Sequence, residues 1–177
     1  TYNGVSYKIW TLYGATDSKC AMTTEFGAQV RMTAGSTGLR FISTITADKV
    51  AAAKALAGEK GSVSFGTVIA PLDYVLRADA FTMAALDGAL TDVAAGKRYV
   101  DIAAVDGLTE DAEGNVKIRA ALTNIKEANL TRAFAAVSYV KVVDATGNTT
   151  YYYSEFDAVE NARAIRQVAE AALADTK

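Results

Sequence analysis

Apolar and polar residues alternate in short runs along most of this 177-residue chain, and glycine or polar turns separate the runs. Alternation of this kind is typical of strands that bury one face. It predicts strands within residues 4–13, 26–33, 39–46, 62–71, 98–105, 116–125, 133–144 and 149–156. The short loop Ala34–Gly38 joins the second strand to the third, and "ATGN" closes a tight hairpin between the last two.

Helical spacing of apolar residues appears in three places. Residues 46–58 carry one apolar face, with Thr46 or Asp48 at the start and Gly58 as the stop. That face comprises Val50, Ala53, Leu56 and Ala57. "DAFTMAALDGAL" indicates a short helix inside the irregular stretch 72–95. In the C-terminal stretch, Asp157 and Glu160 have capping-box spacing, and an apolar face should dock on the sheet. That face comprises Val159, Ala162, Ile165, Val168, Ala169 and Ala172.

The order of these elements predicts the fold class. About seven strands in mostly hairpin order, with two or three helices, indicate an α+β domain with mainly antiparallel, sandwich-like sheet packing and an amphipathic C-terminal helix. Regular βαβ alternation, which a doubly wound parallel sheet needs, is missing. We expect one module over residues 26–177, because a chain of this length builds one core. Residues 1–25 are either an extra strand or the tail of a preceding module.

The pattern of charges argues against a nucleic-acid partner, and the length of the apolar runs argues against membrane insertion. The chain has 18 basic and 20 acidic residues with a net charge of −2, and neither sign forms a long run. A nucleic-acid binder would cluster lysine and arginine on one face, so no nucleic-acid partner is expected. No apolar run approaches the roughly 20 residues that span a bilayer, so no membrane insertion is expected.

The absence of histidine rules out several kinds of catalytic site. A Ser-His-Asp or Cys-His site cannot be built, and the single cysteine, Cys20, can form neither a thiolate zinc site nor an internal disulfide. We therefore expect no metal and no cofactor. A glycosidase that uses carboxylates alone would need two of its acids in one cleft, and the sequence brings no two together. The candidates are Asp73, Asp79, Asp87 and Asp101.

The acidic stretch 106–113 lies in "DGLTEDAEGN". Its spacing does not match an EF-hand loop, so a solvated turn is the favoured interpretation, and cation binding stays open.

Aromatic residues supply the candidate ligand contacts. Sugar rings stack on aromatic faces while nearby polar groups bond their hydroxyls. Trp10 and Tyr13 in the first predicted strand are candidates, together with Tyr152 in "TTYYYSEF". Strand alternation places Tyr151 and Tyr153 on one face and Tyr152 on the other. The alternative is that these rings pack across strands or under the terminal helix.

Arg31 and Arg40 flank the first hairpin. A pair of guanidinium groups could clamp a ligand carboxylate through bidentate hydrogen bonds. The favoured alternative is structural: each arginine meets an internal carboxylate such as Asp73, Asp101 or Asp157 and lays its stem over apolar neighbours.

Several stretches together resemble a known kind of module. They are "QVRMTAGSTGLRFISTIT", "SFGTVIAPLDYV", "RYVDIAAV", "IRAALTNIKEANLTRAFAAVSYVKV" and the tyrosine-rich strand with its terminal helix. The chain is similar, from about Phe26 to Leu173, to a module of large secreted proteins of anaerobic Gram-positive bacteria. There it accompanies immunoglobulin-like repeats and, in some cases, the dockerin modules of cellulosomes. The resemblance implies an extracellular, non-catalytic accessory or interaction module, and it implies no ligand residue by residue.

These observations lead to one expected function and two rivals. We expect a non-catalytic recognition or adhesion module of a secreted, cell-surface or cellulosomal protein, with a polysaccharide as ligand. The first rival is a structural spacer or protein–protein interaction module that binds nothing small, so that its partner is a protein of the cell surface. The second is a glycoside hydrolase that uses carboxylates alone.

Overall fold

The fold is a sandwich of two antiparallel sheets. The computed structural model describes residues 23–24, 29–31, 37–105, 108–158 and 161–174. Over these ranges each sheet contains five strands, and four helices accompany them. The predicted α+β class with a mainly antiparallel sheet core is confirmed. The strand predicted at residues 4–13 lies outside the described residues.

The strands and helices have the following bounds. The strands are β1 (Thr23–Thr24), β2 (Gln29–Arg31), β3 (Gly38–Ile45), β4 (Ser62–Pro71), β5 (Val100–Ala103), β6 (Leu108–Glu110), β7 (Val116–Leu122), β8 (Phe134–Val143), β9 (Thr149–Tyr153) and β10 (Ala162–Arg163). The helices are α1 (Ala47–Ala57), α2 (Leu72–Val75), α3 (Met83–Ala89) and α4 (Ile165–Ala174).

The two sheets differ in how their strands are ordered. Sheet I runs β1-β3-β7-β6, with β2 also paired to β3, and sheet II runs β10-β8-β4-β5, with β9 also paired to β8. The longest ladder joins β4 to β8 over ten residue pairs, from Ser62 opposite Val143 to Pro71 opposite Phe134. Alternate residues of this central pair point to the two faces of sheet II. One face packs against sheet I, and the other points outward.

Two apolar clusters fill the space between the sheets, one toward each end. The first contains Ile45, Val50, Ala53, Ala57, Val116, Ile118, Val140 and Val142. The second contains Leu39, Phe41, Ile69, Ala120, Ile125, Phe134, Ala136 and Ile165. Helix α1 contributes to the first cluster and α4 to the second, so the two helices close opposite ends of the sandwich.

A buried hydroxyl network lies midway between these clusters. Ser43 of sheet I and Ser138 of sheet II share a hydrogen bond through their hydroxyls, and Thr67 Oγ1 lies 3.0 Å from Ser138 Oγ. All three side chains are at most 2% exposed. Because an unpaired hydroxyl in this layer would be costly, the network favours one alignment of the two sheets over a slipped one.

A third apolar cluster covers part of the outer face of sheet II. Val68, Ala70, Ala135 and Val137 of the sheet pack beneath residues of α2 and α3 and the loops beside them. Phe81 meets Phe156 edge to face, with ring centroids 5.0 Å apart, which ties the segment after β9 onto this helical cover.

Two helix predictions need correction. The C-terminal helix begins at Ile165, not after Asp157, because Ala162–Arg163 forms β10 and pairs with Phe134 and Ala135 of β8. Strand pairing therefore overrides the helical spacing at its start. In α1, Leu56 is 38% exposed, although it was expected on the apolar face with Val50, Ala53 and Ala57.

The hairpin turns of β6–β7 and β8–β9 are built alike. "DAEGN" at 111–115 and "DATGN" at 144–148 both carry a glycine with positive φ, 84° at Gly114 and 89° at Gly147. In each, the aspartate carboxylate accepts hydrogen bonds from the asparagine backbone N–H and side-chain amide four residues on. This local hydrogen bonding is what makes Asp-x-x-Gly-Asn a strong turn sequence.

Candidate functional site

The outer face of sheet II is covered by helices over only one half. Alternation along β4 places Ser62, Ser64, Gly66, Val68 and Ala70 on this face. Val68 and Ala70 are fully buried beneath the helical cover, whereas Ser62 and Ser64 are exposed. The helical cover therefore ends near Gly66, and this boundary is called the step. The uncovered part of the face beside it, which includes Ser62 and Ser64, is called the open strip.

Tyr139 lies at this step and reaches across three strands. It pairs with Gly66 of β4, and its ring lies directly over that residue, so a Cβ at position 66 would overlap the Tyr139 Cζ and hydroxyl. Its hydroxyl donates a hydrogen bond to Asp101 Oδ1 on β5, at 2.9 Å. Glycine is required at position 66 because the ring approaches the backbone so closely.

Tyr151 and Tyr153 on β9 complete a tyrosine cluster with Tyr139. The centroid of the Tyr139 ring lies 5.2 Å from that of Tyr151 and 6.1 Å from that of Tyr153, both in edge-on geometry. The Tyr151 and Tyr153 rings are inclined by only 21°, with centroids 6.2 Å apart. Tyr139 is 5% exposed, and the other two are half-buried. Two nearly parallel rings thus rest on one buried ring.

Both ends of this cluster have polar neighbours. The Tyr153 hydroxyl accepts a hydrogen bond from the backbone N–H of Met83, 3.5 Å away at the start of α3. Lys141, which pairs with Tyr151 in the ladder, places its Nζ 5.9 Å from the Tyr151 ring centroid. Tyr153 therefore faces the helical cover, and Tyr151 lies toward the open strip.

Burial determines the ionisation of these phenols. It raises the pKa of Tyr139 well above its usual range, and the hydrogen bond to Asp101 adds to the effect. Burial also raises the pKa of Tyr153. Both groups are therefore protonated at neutral pH, and they serve as apolar rings with a hydrogen-bonding tip.

A second polar network, beside the step, joins α3 to the residues that precede β5. Asp87 accepts hydrogen bonds from Arg98 Nη1 at 2.9 Å and from the Tyr99 hydroxyl at 3.1 Å. Arg98 Nε also donates to the Val93 carbonyl at 2.9 Å. The Arg98 hydrogen bond lowers the pKa of Asp87, so this carboxylate is ionised and holds the connection between α3 and β5 in place.

Of the three aromatic residues predicted to contact a ligand, the structure describes Tyr152. Trp10 and Tyr13 lie outside the described residues. Tyr152 is half-buried and packs against the cluster between the sheets, on the face opposite to Tyr151 and Tyr153. The predicted split of the three tyrosines is thus confirmed, while ligand contact by Tyr152, Trp10 or Tyr13 stays a prediction.

The two arginines of the first hairpin lie at diagonal positions of the β2–β3 register. Arg31 pairs with Gly38, and Arg40 pairs with Gln29 and, on its other side, with Ala121. Arg40 is exposed. Its structural role stays a prediction, as does that of Arg31.

The carboxylates proposed for catalysis or for arginine pairing have the following partners. Both oxygens of Asp73 are held by Arg132, at 2.9 and 2.8 Å. Asp87 and Asp101 are engaged as described above, and Asp79 is exposed. Over the described ranges there is no group of three acidic, histidine or cysteine side chains that could hold a metal ion.

The acidic stretch is only partly a turn. Leu108–Glu110 forms strand β6, and the turn itself is Asp111–Asn115, where Asn115 engages both oxygens of the Asp111 carboxylate. Asp106 lies outside the described residues.

Sequence reasoning missed Tyr139 as the centre of the site. It lies in "AFAAVSYVKVVD", which is typical of a core strand, and its partner Asp101 lies 38 residues earlier in the chain. The available signal was Gly66 inside "SFGTVIAP", because glycine in a strand interior often marks the close approach of another group.

Comparison with protein-family models, with curated proteins and with solved structures found no match to this chain. Among the helices that the structure describes, none has both the length and the apolar character needed to cross a membrane.

Proposed function

We propose that this chain is a non-catalytic recognition module and that its tyrosine cluster binds carbohydrate. One observation carries the proposal: Tyr151 and Tyr153 stand side by side on the outer face of sheet II, with rings inclined by 21°, and rest on the buried Tyr139. A pair of nearly parallel, part-exposed rings is a surface on which the C–H faces of sugar rings can stack.

Polar groups beside the rings supply partners for sugar hydroxyls. Asp101 is exposed, and among the described residues only Tyr139 donates to its carboxylate, through Oδ1. Ser64 and the Lys141 ammonium lie on the open strip of the same face. A few polar groups around an apolar surface are the usual composition of a site that orients an uncharged, hydroxylated ligand.

The rings are held before any ligand arrives. Tyr139 is fixed over Gly66 and by Asp101, and Tyr153 is tied to Met83 in α3. Side chains that are already ordered lose little rotamer freedom on binding, so more of the stacking energy appears as affinity. This supports recognition over catalysis, because nothing in this arrangement serves as a nucleophile or as a facing pair of carboxylates.

The resemblance described for Phe26–Leu173 supports the wider setting of the proposal. On that basis the module belongs to a secreted, multimodular cell-surface or cellulosomal protein, and its partner is an extracellular polysaccharide. A spacer module without a ligand remains the rival, since Tyr139 and its two neighbours also stabilise the fold.

Affinity electrophoresis of the whole chain tests the proposal. The gels contain β-glucan, xyloglucan, xylan, galactomannan, pectin or mucin, and wild type runs beside Tyr151→Ala, Tyr152→Ala and Trp10→Ala. The proposal moves the ligand contacts from Trp10 and Tyr152, where the sequence predicted them, to Tyr151 and Tyr153. We therefore expect retardation by one class of polysaccharide, lost in Tyr151→Ala and kept in Tyr152→Ala and Trp10→Ala.

Two outcomes count against the tyrosine cluster. Retardation that disappears only in Trp10→Ala would move the site to the N-terminal segment, and no retardation of wild type by any polysaccharide would favour the spacer. Circular dichroism melts of each variant separate loss of binding from loss of fold.

A further inference from the structure

The edge of sheet II at β5 exposes apolar side chains. Val100 is 44% exposed and Val105 is 79% exposed, and apart from Leu56 they are the large exposed hydrophobic residues of the described chain. Strand β5 pairs with β4 alone over the described ranges. Natural sheet edges are protected by lysine or other charges, by proline, by a bulge or by short length. The stretch "VDIAAV" at 100–105 contains neither lysine nor proline, and its protection is the four-residue length of β5 and the charge of Asp101.

The backbone groups that point away from β4 can be identified from the ladder. The N–H of Ala104 donates to Phe65 O, and bonding alternates along an antiparallel strand, so Val100 and Ile102 also bond toward β4. The N–H and C=O groups of Asp101 and the N–H of Ala103 therefore point outward, while the Ala103 carbonyl accepts a hydrogen bond from the Val105 N–H at 3.0 Å. Water can satisfy such groups one by one, and another extended backbone can satisfy the whole row at once.

We propose that β5 pairs with β5 of a second copy of this chain, antiparallel and centred on Ile102. In this register Asp101 opposes Ala103 of the second copy, and these are the residues whose backbone groups point outward. Ile102 opposes itself, and Val100 opposes Ala104. Apolar residues then meet apolar residues, and no like charges face each other.

The self-pairing register centred on Asp101 fits less well. Such a register would bring two carboxylates directly opposite each other, which is destabilising. Strands β6 and β9 are also poorer candidates for an apolar partner, since β6 ends in Glu110 and β9 begins with the exposed hydroxyls of Thr149 and Thr150. The exposed valines thus favour β5, and the position of Asp101 disfavours the register centred on that residue.

Such a dimer orients both tyrosine clusters to the same side. A two-fold axis perpendicular to the sheet joins the two copies of sheet II into one continuous sheet and keeps their outer faces on one side. The two Tyr139 residues, each on β8, are then separated by five inter-strand spacings, about 24 Å. One long ligand could contact both copies, and its apparent affinity would rise through effective concentration.

Sedimentation of the whole chain tests the dimer. The concentrations extend to about 1 mM, so that a weak interface is also detected. Wild type is compared with Ala103→Pro, which removes an outward N–H from each copy without disturbing the β4 ladder. The control is Thr149→Pro, which removes an outward N–H from the opposite edge of the sheet. We expect a concentration-dependent dimer that Ala103→Pro weakens by about tenfold or more and Thr149→Pro leaves unchanged.

A wild type that stays monomeric throughout, or equal dimerisation of the two proline variants, would overturn the proposal. Thermal melts check that both variants fold.

Cysteine cross-linking in a Cys20→Ser background tests the register. Ile102→Cys places two thiols at a non-hydrogen-bonded pair, where Cα atoms lie about 4.5 Å apart, close enough for a disulfide. Val100→Cys is the control, because the two copies of position 100 are several residues apart in this register. Mild oxidation should cross-link Ile102→Cys in preference to Val100→Cys. The reverse preference would contradict the proposed register.

Discussion

Three consecutive tyrosines of β9 have two different environments. Tyr152 packs against the apolar cluster between the sheets, while Tyr151 and Tyr153 lie on the outer face, on Tyr139. The residue type, the strand and the hairpin are the same, so composition does not decide which ring is available to a ligand. The face of the sheet decides it: both rings lie beside strand β8, but Tyr152 lies beside Val140, which points between the sheets, and Tyr153 lies beside Tyr139 on the outer face.

The buried ring beneath the outer pair should have the largest effect on stability. We expect Tyr139→Ala to lower the free energy of unfolding by about 3–5 kcal/mol, because it removes a buried aromatic ring that supports Tyr151 and Tyr153. Tyr139→Phe keeps the ring and loses the hydrogen bond to Asp101, so its loss should be about 0.5–1.5 kcal/mol. Urea denaturation measures both. Similar losses in the two variants would show that the hydroxyl, not the ring, supports the outer face.

The glycine under that ring gives the next largest effect. Gly66→Ala places a methyl group against the Tyr139 ring, so we expect a loss of about 1–3 kcal/mol, whereas Gly88→Ala has open space around it in α3 and should be neutral or stabilising. Combining Gly66→Ala with Tyr139→Leu tests the cause. If the two losses simply add, the glycine and the ring do not interact, and the assignment of Gly66 is wrong.

The β8–β9 turn should have the smallest effect, and the size of this effect depends on pH. The Thr146 hydroxyl and the Asn148 N–H lower the pKa of Asp144 to about 2, below the value of 3.8 expected in the unfolded chain. The lowered pKa means that this carboxylate stabilises the fold above about pH 4 and that the stabilisation is lost as the pH falls toward 2.

Thermal melts between pH 7 and 2 test this effect. The difference in Tm between wild type and Asp144→Ala should shrink across that window, and the matched variant Asp111→Ala in the twin turn should behave alike, because the Asn115 amide likewise lowers the pKa of Asp111. A difference that does not depend on pH would mean that the carboxylate charge does not hold the turn. The turn matters to the tyrosines because a one-residue slip of β9 would exchange its two faces.

Much of this architecture follows from local pattern, and the site does not. Alternation predicted the longer strands, but not β1, β6 or β10, and it predicted the separation of Tyr152 from Tyr151 and Tyr153. The turn sequences predicted the hairpins. Which face of β9 points outward depends on how β8, β4 and β5 are ordered in sheet II. Because these strands are far apart in the chain, local sequence patterns do not predict that order. The contact of Tyr139 with Asp101 across β4 has no sequence signature beyond Gly66.

The C-terminal helix shows the same limit. Its apolar spacing begins at Val159, yet Ala162 and Arg163 pair with the edge of β8, and the helix begins only at Ile165. An unpaired strand edge competes with helical periodicity for the same residues, and the sequence alone does not state that the edge is there.

The most direct test of carbohydrate recognition is calorimetric titration of Tyr151→Ala and Tyr152→Ala with the polysaccharide that retards wild type. Loss of a stacking ring should weaken binding by Tyr151→Ala about tenfold or more, while Tyr152→Ala, altered on the opposite face, should bind as wild type does at temperatures where it is folded. Equal weakening of both variants, or wild-type binding by Tyr151→Ala, would contradict the assignment of the outer tyrosines as the binding surface.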